Sequence, residues 1–142
     1  MNILISACLL GVNCRYDGES KFIEKIHSLK DKYHMVPVCP EIFGGLATPR
    51  DPAEIIGNKV ITKNGEDVTE NYKRGAKEVL KLAKFYGCKL AILKERSPSC
   101  GYGKIYDGTF SGRLTDGNGV TAELLIEIGI RVIGESEIES LL

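Results

Sequence analysis

The chain has 142 residues, 43% of them hydrophobic and 27% charged, with 19 Lys and Arg set against 19 Asp and Glu. That length suits one α/β-sized domain spanning 1–142 with its own core, and a balanced charge speaks against a nucleic-acid partner. No apolar run approaches the roughly 18 residues that a bilayer-crossing helix needs, so a membrane partner is not expected.

Met1-Asn2 opens directly into a strand pattern, Asn2 to Ala7, without a basic leader or a cleavage site. A cytoplasmic protein is therefore expected. Cys8-Leu9-Leu10-Gly11 follows, then the turn-rich Asn13 to Gly18. Ser20 is placed to cap a helix from about Lys21 to Lys32, with Phe22, Ile23, Ile26 and Leu29 along one face. Met35 to Cys39 reads as a second strand, and Pro37 argues for an edge position or a short pairing. A long Gly/Pro-rich loop comes next, carrying Pro40-Glu41-Ile42-Phe43-Gly44-Gly45 and Pro49-Arg50-Asp51-Pro52. Loops of that length inside compact domains are often functional.

Glu54 to Thr62, then Glu66 to Thr69, predicts a small hairpin turning at Asn64-Gly65. Thr69 or a residue beside it is placed to cap a longer helix running to about Tyr86, buried along Tyr72, Ala76, Val79, Leu80 and Ala83 and stopped by Gly87. Leu90 to Leu93 is a short, wholly apolar run, as in a buried parallel strand. It leads into Lys94-Glu95-Arg96-Ser97-Pro98-Ser99-Cys100-Gly101, where Pro98 and Gly101 end any strand. Gly103 to Gly119 reads as a surface loop, Val120 to Ile128 as a helix, Arg131 to Gly134 as the last strand, and Glu137 to Leu142 as a terminal helical turn. Strands alternating with helices predict an α/β fold: a three-layer, Rossmann-like, mostly parallel sheet with helices on both faces and a small β-hairpin insertion. In such sheets, ligands bind at the carboxyl ends of the strands.

Cys8 follows the first strand, Cys39 ends the second and Cys100 lies in the loop after the third, so the fold would bring three thiols to that edge. Cys14 stands close enough to Cys8 to replace or join it. Cys88 precedes its strand and belongs to the opposite edge, as a small buried hydrophobe. No Cys-x-x-Cys pair occurs, which argues against a zinc ribbon or finger. His27 and His34 read as surface or packing residues. Three thiolates without a fourth protein ligand suit an iron–sulfur cluster with one open iron, or a catalytic zinc. Buried thiols and a redox thiol pair remain open on spacing alone.

Several stretches together resemble the thiouracil desulfidase (TudS-like) family. They are Ser6-Ala7-Cys8-Leu9-Leu10-Gly11, Arg15-Tyr16-Asp17-Gly18, Pro37-Val38-Cys39-Pro40-Glu41, Gly44-Gly45-Leu46, Pro49-Arg50 and Ser97-Pro98-Ser99-Cys100-Gly101. The resemblance implies a [4Fe-4S] cluster held by Cys8, Cys39 and Cys100 with one iron open. It implies non-redox removal of sulfur from a thiolated pyrimidine, giving uracil and hydrogen sulfide. It places Glu41 and Ser97 in catalytic roles. Arg15, Asp17, Phe43, Gly44, Arg50 and Ser99 lie in or beside these stretches and are expected to bind the substrate, a small thiolated base or nucleotide. Two other classes compete with this reading. One is a non-catalytic iron–sulfur or zinc protein that senses redox state or binds a partner. The other is a thiol transferase using Cys100 as its nucleophile.

Overall fold

The structure is a computed structural model describing residues 1–142. Its centre is a four-stranded, wholly parallel sheet of β1 (Asn2–Ser6), β2 (His34–Val38), β5 (Leu90–Leu93) and β8 (Arg131–Gly134), in the spatial order β2-β1-β5-β8. Leu4 faces Ala91, and Leu90 faces Arg131. The strand order reverses between β1 and β5. Their carboxyl ends therefore flank the crevice where α/β sheets bind ligands. β2 is an edge strand, the first of the two positions that Pro37 allows.

Alternation along the strands feeds two separate cores. Ile3, Ile5, Ile92 and Ile133 face one side, where they meet Ile26, Leu29, Ile138 and Leu141. Leu4, Ala91, Leu93 and Val132 face the other, against Val79 and Ala83 of α2 (Thr69–Tyr86) and Ala122 and Leu125 of α3 (Val120–Glu127). Both faces are thus covered, but only one by α-helix. The predicted helix over Lys21 to Lys32 is a 3₁₀ segment, Glu24–Leu29, and the terminal turn is another, Glu135–Leu141. Only Ile26 and Leu29 of the first segment are buried, while Phe22 is 47% exposed. An anchor pair three residues apart fits the three-residue turn of a 3₁₀ helix better than a 3.6-residue period.

Two further elements depart from expectation. The hairpin β3 (Ala53–Ile56) and β4 (Lys59–Thr62) turns at Gly57-Asn58 rather than Asn64-Gly65. Asn64-Gly65 makes a second reversal, which lets Asp67 bridge back to Ile61. The Gly103 to Gly119 segment is not all loop: β6 (Lys104–Tyr106) and β7 (Leu114–Asp116) pair antiparallel within it. Three-residue strands are too short for alternation to reveal them.

A short helix, α1 (Pro40–Phe43), starts right after Cys39, with Pro40 in its first turn where a missing N–H does no harm. It docks backbone to backbone on α2. A Cβ on Gly75 would lie 1.8 Å from Pro40 O, and one on Gly44 would lie 2.0 Å from Asn71 O. Asn71 Nδ2 also donates to Gly44 O at 2.9 Å. Close approach of this kind is open only to glycine, and it sets where Cys39 and Glu41 stand.

Candidate active site

A cavity of about 360 Å³ opens at the carboxyl ends of β1, β2 and β5. Its wall is built from residues that directly follow those strands. Cys8 lies in a 3₁₀ turn, Ala7–Leu10, continuing from β1. Cys39 is the residue before α1. Cys100 ends the loop after β5, which Arg96 turns sharply by taking a left-handed conformation, φ 72°. Cys14 completes a set of four cysteines around the cavity. Cys8, Cys14 and Cys100 are buried, Cys39 is half-buried, and none forms a disulfide.

The thiols perturb one another. Burial pushes the Cys100 thiol up to about 12; Ser6 opposes this, and the charges of Glu41 and Cys39 add to it. Contact with Cys14 and then burial hold Cys39 far above its ordinary range. For Cys14, contact with Cys39 favours the thiolate, but contact with Cys8 and burial outweigh it and the thiol titrates high. Cys14, which spacing left open, is therefore a member of this group, whereas Cys88 is buried apart from it.

The donor set suits an iron–sulfur cluster. Four thiols line one cavity, with Cys14 in contact with both Cys8 and Cys39. Thiolates are soft donors, and a positive centre would favour their deprotonated form.

Glu41 is held from two sides. Its Oε1 accepts from Arg50 Nε at 3.1 Å and from the Tyr72 hydroxyl at 2.8 Å. Arg50 is itself fixed by Nη2 on Cys14 O at 2.8 Å and by Nη1 on Ala47 O and Thr48 Oγ1. Burial, followed by the Glu41 charge, raises Tyr72 far above the phenol range, so it stays a donor. Both of these bonds fall on Oε1, and Glu41 lines the cavity. Ser97 Oγ accepts from Cys100 N at 2.7 Å, and its hydroxyl also contacts the Cys100 thiol and favours the thiolate. Arg15 also lines the cavity, with a 3.5 Å pairing to Asp17.

Four residues expected to bind substrate lie away from the cavity wall. Ser99 is fully buried and bonded to Thr121 Oγ1 at 2.9 Å, joining the loop to α3. Gly44 is spent on the contact with α2, and Phe43 beside it is 36% exposed. Asp17 shapes its own turn by accepting from Glu19 N. Conversely, Tyr72, Glu54, Tyr106 and Phe110 line the cavity without having been expected there. Tyr72 read as core because it sits on the apolar stripe of α2. The other three lie in the two hairpins, and only the tertiary fold brings these over the sheet edge.

Grouped thiols and a clamped carboxylate at the switch point of a parallel sheet define an α/β protein with its ligand site at that sheet edge. The model of the 2-thiouracil desulfurase family matches residues 3–137, and the chain belongs to that family. It is 50% identical, over 150 aligned residues covering 99% of both chains, to the uncharacterized protein YbbK of Bacillus subtilis (strain 168). Among solved structures it is similar to the [4Fe-4S]-dependent thiouracil desulfidase TudS (DUF523Vcz). That match has a TM-score of 0.94 and 46% identity, and covers 99% of this chain and 94% of that one. No helix is long and apolar enough to cross a membrane.

Proposed function

We propose that this chain, acting as one domain, hydrolyses the C–S bond of a thiolated pyrimidine of the 2- or 4-thiouracil type, giving uracil and hydrogen sulfide. In the proposed enzyme Cys8, Cys39 and Cys100 hold a [4Fe-4S] cluster. With one iron open, the cluster supplies a Lewis acid with affinity for soft sulfur. The observation that carries the reading is the meeting of thiols, Glu41 and Ser97 on one cavity.

The chain's own residues then have defined tasks. Water adds to the thiocarbonyl carbon; its two hydrogens leave with sulfur and its oxygen stays on the ring, so no electrons are gained or lost. Glu41 Oε2 takes a proton from the attacking water and returns it to the departing sulfur. Arg50 and Tyr72, both on Oε1, keep that oxygen aimed. Ser97 orients the attacking water or the base by hydrogen bond, without giving up its proton. Five free thiols suit a reducing compartment, in keeping with a cytoplasmic enzyme.

The test is Glu41→Gln in protein reconstituted without oxygen. The variant keeps the broad thiolate-to-iron absorbance but releases sulfide from 2-thiouracil at least about a hundredfold more slowly, the scale of a lost general base. Sulfide release at the normal rate removes Glu41 from the chemistry. If the unsubstituted holoprotein releases no sulfide from any thiolated pyrimidine, a sensor or binding role replaces the enzyme.

A further inference from the structure

Phe110 is a residue that packing does not explain. It belongs to none of the three apolar clusters, yet it is half-buried and lines the cavity. Its backbone is left-handed, φ 55°, a conformation that bulky residues avoid. Such strain persists only where the surroundings impose it.

What imposes it is Glu54. This side chain is 8% exposed, and its Oε1 accepts from both Gly108 N at 2.9 Å and Phe110 N at 3.1 Å. A carboxylate from β3 thus grips the tip of the β6–β7 hairpin. Gly108, φ 92°, passes so close that a Cβ there would lie 2.9 Å from Ile55 O. Asp107 tightens the same turn by accepting from Thr109 N at 3.0 Å. A buried charge, a strained residue and a close backbone approach together hold one apolar ring at the cavity wall. The other polar groups described there face the chemistry, whereas a phenyl ring offers only a flat face and apolar surface.

We propose that Phe110 is a substrate-binding residue on which the flat pyrimidine ring stacks, and that Glu54 is the positioning residue that keeps it there. The proposal rests on the desulfidase reading for its substrate class. Stacking acts mainly on the ring atoms that do not react, and these are alike in ground and transition states. Such uniform binding appears in KM and not in kcat.

The experiment measures steady-state sulfide release from 2-thiouracil, together with equilibrium binding of uracil, which does not turn over. Holoproteins of wild type, F110L, F110Y, E54A and E54Q are compared. Leucine keeps the apolar bulk but not the ring. F110L raises KM and weakens uracil binding about tenfold, near the low end for a lost base-stacking partner, with kcat unchanged. F110Y restores the wild-type values. E54A behaves as F110L does, and E54Q, which still presents an acceptor oxygen, rescues it. If E54A fails to fold, the F110L and F110Y pair decides alone. Equal KM and equal uracil binding in wild type and F110L overturn the proposal, even though sulfide is released normally. Weakened uracil binding in F110L, with no sulfide from wild type, upholds the stacking wall and overturns the desulfidase reading instead.

Discussion

At the scale of single residues, the site is a matter of aim. Glu41 is one of 19 acidic residues, and what distinguishes it is that Arg50 and Tyr72 share one of its oxygens. Removing one donor leaves the carboxylate less well oriented without emptying its pocket. Tyr72→Phe is expected to lower kcat on the order of tenfold with KM little changed, as loss of a hydrogen bond to a charged group implies. Far-UV circular dichroism would be unaltered. An unchanged kcat would leave Arg50 as the sole orienter. Ser99 shows the opposite case: its hydroxyl sits in the Ser97-Pro98-Ser99-Cys100-Gly101 motif but bonds Thr121 inside the protein. A serine's place in a motif does not reveal which way it points.

At the scale of elements, the contact between α1 and α2 has the tightest tolerance. A Cβ on Gly75 would collide with a backbone oxygen, not with a flexible side-chain end. Gly75→Ala must therefore push α1 away, taking Cys39 and Glu41 with it. Overpacking of this kind costs about 1–3 kcal/mol, and a backbone collision belongs at the upper end of that range or above. Urea denaturation measures the loss, and iron content after reconstitution should fall alongside it. Stability and iron uptake equal to wild type would show that α1 is free to shift. The 3₁₀ segment Glu24–Leu29 teaches a related lesson. Its apolar residues were legible, but the choice between three and 3.6 residues per turn is made by which of them the sheet buries.

At the scale of the whole molecule, the central sheet and the two hairpins have different standing. β1 and β5 are fully or almost fully buried and lie between two cores. β7 is exposed along its length and pairs only with three-residue β6. Hydrogen exchange should therefore be slowest in β1 and β5, approaching the rate of global unfolding. It should be faster by orders of magnitude in β6 and β7, which need only local opening. Mass spectrometry of deuterated peptides reads this directly. Equal protection across the two regions would mean that Glu54's grip makes the hairpin part of the global unit.

The parallel sheet, its edge strand, the long helix with its glycine stop and the arrival of Cys8, Cys39 and Cys100 at one edge follow from the sequence alone. Local periodicity and punctuation encode those features, and right-handed crossovers leave little choice about which ends align. The entry of Cys14 into the thiol group, the clamp of Tyr72 on Glu41, and the placing of Phe110 by Glu54 were decided only by tertiary structure. Each depends on residues from different elements, separated by 25, 31 and 56 positions. Contacts at that distance leave no local pattern, because they exist only once backbones such as Gly75 and Gly108 have closed to within touching distance.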